Sequence, residues 1–417
     1  MFVKSFVICI FLSLALAENN RFDNYTLYKL NPKTKDQIKF IKKLYKENGE
    51  YDFWNIPGDE SKYINVLSSP QDKGFLERFL KKNNIPTEVA YKLDFIFARM
   101  VNKLCKYESG NLRSMTWNKY YDLNDTNAWL DDLIRTYSEV SEIIGGVSYE
   151  GRPIKGIRIS HGRGRKAVFL EGGLHAREWI SPATVNYITN ELLTSNDEDI
   201  RNAAINYDWY IFPITNPDGY IWSFTNNRLW RKNRRPIREH FGVDLNRNWN
   251  HHWLREGSSD DPSRDTYAGP GPFSEIETRS ISAYMMDMSD RLELYITFHS
   301  YGQMLLVPFG NTTEPLANYD DAVYIGQHAI DALKARHGTE YTLGNIAETI
   351  YLATGGSIDW VKERLNIPLV YCYELRDKST FILPEEQILP NNEEVMDSLV
   401  EMIKQAQLKG YMKTPNT

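Results

Sequence analysis

Hydrophobic and polar positions along this chain switch repeatedly between a period of two and a period near that of an α-helix. Residues 25–30 alternate as a strand does, and residues 35–46 place Ile38, Ile41, Leu44 and Tyr45 on one helical face. Residues 63–67 read as a further strand, and Phe75, Leu76 and Phe79 suit a second helix. The order β-α-β-β-α-β up to about residue 105 predicts a small α+β open sandwich, a sheet with helices on one face. It is too short to carry a catalytic domain of its own.

The pattern then breaks. Residues 103–113 end in the polar stretch Glu108-Ser-Gly-Asn-Leu-Arg113, which reads as a linker, and Arg113 before Ser114 is a site that a trypsin-like protease accepts. From residue 114 helical and strand-like stretches alternate again. Residues 126–140 have helical period, with Asn124 and Asp125 placed to cap them. Residues 154–159 and 167–170 are short apolar runs of the kind found in strands buried on both faces. Residues 181–193 read as helix and 209–214 as strand. Ser274-Glu-Ile-Glu277 has the spacing of a capping box for a helix running to Met288. Strands at 292–298, 305–308 and 369–373 complete the series. Strands separated by helices predict an α/β fold with a mixed, largely parallel sheet and helices on both faces.

Composition narrows the class. The chain has 417 residues, 42% hydrophobic and 25% charged, which excludes a disordered or fibrous protein. A formal net charge of −6 leaves no electrostatic footprint for nucleic acid. Residues 1–17 carry Lys4, an apolar run from Phe6 to Leu14 and the small-x-small end Ala15-Leu-Ala17, the marks of a signal peptide. The run is well short of the roughly 20 residues that span a bilayer, so the expectation is a secreted, extracellular protein and no membrane partner. Sequons at Asn24, Asn124 and Asn311 fit that route. Of three cysteines, Cys9 leaves with the signal, and Cys105 and Cys372 remain.

The chemistry concentrates after the strand at 167–170. Gly172-Gly-Leu-His-Ala-Arg-Glu178 follows it directly, at the strand edge where α/β sheets bind ligands. His175 and Glu178 are three apart, so one turn can aim an imidazole and a carboxylate at one point. That spacing alone is too common to define a site. His299 falls at the end of another strand, and two His with one Glu would leave the fourth position of zinc open for water.

With these segments in view the chain resembles the zinc carboxypeptidases of the pancreatic A/B type. The resemblance covers nearly the whole chain after the signal. It rests on His175-Ala-Arg-Glu178, Arg228-Leu-Trp-Arg231, Asp244-Leu-Asn-Arg247, His299-Ser-Tyr301, Ile350-Tyr351, Gly355-Gly-Ser-Ile-Asp-Trp360 and Glu374-Leu-Arg-Asp377, in that order. It implies one zinc ion held by His175, Glu178 and His299, with Asp244 fixing the tautomer of His175. Glu374 would be the general base toward zinc-activated water, and Arg231 would stabilise the oxyanion. Asn246, Arg247 and Tyr351 would grip the substrate's terminal carboxylate, a task that suits the guanidinium fork. Arg177 and Tyr301 would contact substrate as well. Around Arg231, the residues Lys232, Arg234 and Arg235 read as an ordinary solvated basic loop.

The resemblance further implies that residues 18–113 are an inhibitory propeptide, removed by a trypsin-like protease near Arg113, and that 114–417 is the catalytic domain, acting as a monomer on peptides with a free C-terminus. Leu306, Gly310, Ile346, Ile350, Ala353, Ile358 and Cys372 match the family's specificity pocket. Ile358 stands where B-type enzymes, which remove Lys and Arg, carry Asp, so an A-type preference for aromatic or aliphatic terminal residues is expected. The chain departs from the pattern in having His240 and Ser263 where relatives commonly carry a disulfide, and in one extra residue between Trp360 and Glu374. Cys372 on the pocket wall argues against a bridge to Cys105. Two rival readings remain: a catalytically silent binding module and a zinc amidase or deacylase acting on other substrates. The filled zinc and Glu374 positions oppose the first, and the Asn246, Arg247 and Tyr351 set opposes the second.

Overall fold

The structure is a computed structural model and describes residues 22, 24–47, 51–55, 57–58, 63–92, 115–162 and 164–413. The signal segment, Cys105 and the linker with Arg113 lie outside the described residues. Two compact units are distinguished, one from the residues before 93 and one from those after 114, the stretch 224–228 excepted.

In the first unit, strands β1 (Thr26–Leu30), β2 (Asp52–Phe53), β3 (Ile64–Ser68) and β4 (Thr87–Lys92) form one antiparallel sheet in the order β2-β3-β1-β4. Tyr28, Leu30, Ile64 and Val66 from the sheet share a core with Ile41 and Leu44 of the helix Lys35–Glu47 and Leu76 and Leu80 of the helix Lys73–Lys82. The expected β-α-β-β-α-β order holds, with one correction. Phe75 is exposed, because the inward stripe of its helix is the i, i+4 pair Leu76 and Leu80.

The second unit is built on eight strands: β5 (Val140–Val147), β6 (Pro153–Ile159), β7 (Ala167–Glu171), β8 (Asp208–Phe212), β11 (Leu292–Ser300), β12 (Met304–Val307), β13 (Thr342–Asn345) and β14 (Leu369–Leu375). A separate two-strand hairpin, β9 (Pro236–Ile237) and β10 (His240–Phe241), lies between β8 and β11 in sequence. The large sheet runs β13-β12-β14-β11-β7-β8-β6-β5. Its centre, β14-β11-β7-β8, is parallel, and antiparallel pairs join β12 to β14, β8 to β6 and β6 to β5. Every residue of β7 and β8 is buried, which requires helices on both faces. The sheet is therefore mixed and largely parallel, as expected.

Two local expectations are corrected. The helix predicted at 126–140 is Leu123–Thr136, and its cap is Asp122, whose carboxylate accepts from the Asp125 amide at 2.8 Å. Val140 instead opens β5. The capping box at Ser274–Glu277 does not form. Asn248 Oδ1 accepts from the Glu275 amide and the Thr278 hydroxyl at the start of the helix Ile276–Asp287, and Glu277 turns to the Tyr149 amide and Asn233. A residue from a distant loop satisfies the donors that a local pattern would have served. Among the described residues no helix is long and apolar enough to cross a membrane. Asp122→Ala is expected to lower unfolding stability by about 1 kcal/mol and Asp125→Ala by less, measured by urea denaturation of the full chain.

Candidate active site

Chain geometry brings the first two candidate ligands together at the end of β7. Gly173 adopts the left-handed conformation (φ 62°), and a Cβ there would meet Ile214 Cα at 3.0 Å, so the turn toward His175 needs glycine. The Ala176 amide donates to the Arg231 carbonyl at 3.0 Å, and the Glu178 amide closes back on the His175 carbonyl at 3.3 Å. His175 Nδ1 thereby lies 2.8 Å from Glu178 Oε1. His299 comes from β11, where its Nδ1 lies 2.9 Å from Glu178 Oε2 and 3.0 Å from His175 Nδ1.

All three side chains are buried, and their ligand atoms lie within 4.8 Å of one another. Two ring nitrogens that face each other at 3.0 Å, with a carboxylate beside both, need a proton or a cation between them. Donors about 2.1 Å from a tetrahedral zinc stand roughly 3.4 Å apart, a little beyond the 2.8 to 3.0 Å separations seen, so the donor set fits zinc with one position left over. Electrostatics agree. Burial alone would raise the Glu178 carboxyl, but the charges of His175 and His299 hold it well below the usual range. Burial, with Arg231 adding to it, lowers His175 toward the neutral form that ligates metals.

Behind His175, Nε2 faces Asp244 Oδ1 at 3.1 Å. The other oxygen of Asp244 accepts from Arg231 Nε and one terminal nitrogen at 3.0 and 2.9 Å, and Arg231 also stands 3.7 Å from Glu178. Burial opposes ionisation of Asp244, yet Arg231 and His175 hold its carboxyl well below the ordinary range. The basic run around Arg231 is no solvated loop. Lys232 is buried and donates to the Pro262 carbonyl, Arg234 is sandwiched by Trp222, Trp230 and Phe241, and Arg235 pairs with Glu275. Aromatic rings from close by in sequence cover Arg234, and polar partners from the later stretch 262–275 hold Lys232 and Arg235.

On the neighbouring strand, Glu374 pairs in register with His299. Every other residue of β14 is buried; Glu374 alone is partly open. Burial and the nearby Glu178 charge push its carboxyl up to about 8, against the pull of His299. A bound dication would favour the ionised form.

Arg247 stands on a short turn, Leu245–Arg247, capped by Asp244. Its Nε donates to the Gly257 carbonyl at 2.9 Å, one terminal nitrogen to the Asn246 carbonyl at 2.8 Å and the other to the Tyr351 hydroxyl at 3.1 Å. Among the described residues no carboxylate pairs with it, although it is 5% exposed. Asn246 reaches His299 Nε2 at 3.5 Å and accepts from the Ser357 amide. Arg177 is buried, bonded to Asp265 at 2.8 Å and placed over the ring of Phe381, which also packs edge-on against Tyr301. Asp265 and Phe381 were not anticipated, since no local motif surrounds either.

The candidate pocket residues also converge. Leu306, Ile358 and Cys372 lie in one apolar cluster, with Ile346 and Ile350 packed against it. Leu306 pairs across the sheet with Cys372, a free buried thiol, and Gly310 accepts from the Ala353 amide.

Comparison with known proteins follows the same lines. Residues 126–398 match a family described as zinc carboxypeptidase, and residues 28–92 match the carboxypeptidase activation peptide. The chain is 38% identical over 416 residues to zinc carboxypeptidase A 1 of Anopheles gambiae, covering 97% of this chain and 95% of that one. It is 42% identical over 292 residues to carboxypeptidase B of Astacus astacus, covering 68% and 96%. The crystal structure of carboxypeptidase A from Helicoverpa armigera is similar at a TM-score of 0.82 with 27% identity, covering 93% of this chain and 98% of that one.

Removing the carboxylate behind His175 should loosen the metal. Asp244→Asn is expected to weaken zinc affinity about 10- to 100-fold, read by competition with a chromophoric chelator. Unchanged affinity would show that His175 is oriented without it.

Proposed function

The chain belongs to the zinc carboxypeptidase family, and from that premise we propose that it is a secreted zymogen whose mature form removes aromatic or aliphatic residues from peptide C-termini. It is a metallocarboxypeptidase with an activation peptide. Residues 1–17 serve as the signal, 18–113 as the propeptide and 114–417 as the catalytic domain, with release by a trypsin-like protease near Arg113. The mature enzyme acts as a monomer.

His175, Glu178 and His299 hold the zinc ion. When bound, zinc supplies Lewis-acid polarisation and lowers the pKa of water. Glu374, partly open beside His299, takes the proton from the attacking water and delivers it to the leaving amine. Arg231, oriented by Asp244, answers the charge that develops on the carbonyl oxygen. Arg177 and Tyr301, joined through Phe381, contact the substrate upstream of the scissile bond.

The observation that carries exopeptidase action is Arg247. A nearly buried guanidinium bonded to two carbonyls and a phenol, with no carboxylate partner among the described residues, is built for an anion. With Asn246 and Tyr351 it takes the terminal carboxylate. An internal peptide bond leaves that charge unanswered, at a cost of several kcal/mol or on the order of a thousandfold in rate.

Relatives named as A and B types both match this chain, so pocket chemistry has to separate them. Ile358 is 4% exposed within the apolar cluster. The adjacent Asp359 does not substitute for the missing acid. Both its oxygens accept from the Gly310 amide, and burial pushes its carboxyl up to about 7. A lysine ammonium entering this pocket loses hydration worth several kcal/mol, whereas a leucine or phenylalanine side chain gains about 2 kcal/mol.

Two measurements follow. Trypsin-treated protein, incubated with peptides that differ only in the last residue, is expected to release a single C-terminal Phe or Leu, and to stop with a zinc chelator. The untreated precursor should be far slower, and chelator-insensitive or internal cleavage would refute the reading. Ile358→Asp is expected to raise kcat/KM for C-terminal Lys or Arg relative to Phe by about 100-fold; no gain would dismiss the pocket assignment.

A further inference from the structure

Away from the His175 cluster, His251, His252 and Glu363 form a second group whose ligand atoms lie within 4.8 Å of one another. His251 sits in the loop after Arg247, and Glu363 on the helix Ser357–Leu365. Backbone bonds join these segments: the Trp249 amide donates to the Gly355 carbonyl and the Gly355 amide to the His251 carbonyl, both at 3.0 Å. Asp359 and Glu363, one helical turn apart, face the two edges of the same imidazole. Nε2 of His251 lies 2.7 Å from Glu363, and Nδ1 lies 3.7 Å from Asp359.

The His251 ring is 5% exposed, is stacked on Phe309 at 5.8 Å and 11°, and has no hydrogen-bond partner for Nδ1 among the described residues. At 2.7 Å, Nε2 and the Glu363 carboxylate need either a proton or a cation between them, and with the ring proton on Nδ1, on the side of Asp359, a cation takes that place. His252 supplies a third donor there. Neighbours in a chain ordinarily point apart, but His252 adopts φ 45°, and its ring centroid comes to 4.6 Å from that of His251.

We propose that His251, His252 and Glu363 bind a second divalent ion of the zinc class, distinct from the ion at His175, Glu178 and His299. Two imidazoles and one carboxylate match the borderline-soft ions zinc, cobalt and nickel, and disfavour calcium and magnesium, which take oxygen donors. Asp359 stands behind His251 as Asp244 stands behind His175, a carboxylate facing the ring nitrogen remote from the other ligands. His252 and Glu363 are exposed, so this ion exchanges faster than the buried one. It ties the loop after Arg247 to the helix Ser357–Leu365.

The test counts metal in the full-length protein equilibrated with zinc alone at micromolar free concentration, by elemental analysis and by calorimetric titration. The wild type is expected to hold two equivalents. His252→Asn, chosen because asparagine tolerates the same backbone conformation, and Glu363→Gln should each hold one, with C-terminal hydrolysis after trypsin treatment unchanged. His175→Ala should also lose one equivalent, but with loss of hydrolysis, which separates failure at one site from failure at the other. Zinc should raise the unfolding temperature of His175→Ala and not that of the His175→Ala, His252→Asn double variant. A wild type with one equivalent, or two retained in both His252→Asn and Glu363→Gln, overturns the proposal and leaves His251 as a neutral ring whose Nε2–H donates to Glu363.

Discussion

The carboxylate of Asp244 is the constraint from which the rest of the catalytic unit follows. It is wholly buried, a placement that costs several kcal/mol for an ionised group unless its lone pairs are answered. Here they are. One oxygen faces His175 and accepts from the Asn246 amide, and the other takes two bonds from Arg231. Segments that arrive from β7, from the basic run and from the turn at Leu245–Arg247 therefore share one anion. Moving any of them leaves a buried charge unpaired, so His175, Arg231 and the turn that carries Arg247 are held to a common frame.

Strand register supplies the second half of that frame. β11 and β14 run parallel, with His299 opposite Glu374. A slip of one residue would turn Glu374 to the other face of the sheet and separate it from the ligands. Register here is set by continuous burial: β11 and β14 are covered on both faces, and a slip would expose the row of Tyr371, Tyr373, Phe298 and Ile296 to the wrong neighbours. The place of Glu374 beside His299 is thus a consequence of core packing rather than of any bond made by Glu374 itself.

Much of this was legible in the chain because the relevant signals are local. The turn at Gly172–Glu178 announces itself through glycines after an apolar run, and Ile358 through its place between Ser357 and Asp359 in a recognisable segment. Where the determining partner is distant, local reading failed. Asn248 takes over the cap that Ser274 and Glu277 are spaced to make. Even at short range Arg234 looked solvated, because spacing does not disclose that the nearby Trp222, Trp230 and Phe241 close over it. Asp265, which holds Arg177, lies in a polar stretch with no periodicity to single it out. Hydrophobic period reports which face is buried and is silent on which polar groups meet there.

The carboxylate clamp and the side-chain pocket, read as separate features in the chain, are mechanically one piece. Gly355 adopts φ 74°, and a Cβ there would meet the Arg247 carbonyl oxygen at 2.3 Å, so the loop before the pocket helix lies directly on the arginine's backbone. Asn246 Oδ1 accepts from the Ser357 amide at the start of that helix, one residue before Ile358. Trp249 packs its ring against Trp360 from the same helix, with centroids 5.2 Å apart. Arg247 and Ile358 thus stand on parts that cannot shift independently. On the proposed function, Arg247 fixes where the terminal carboxylate ends and Ile358 what can lie beside it, so both selectivities would arise from one packed junction, in which the close approach at Gly355 leaves no room for a larger residue.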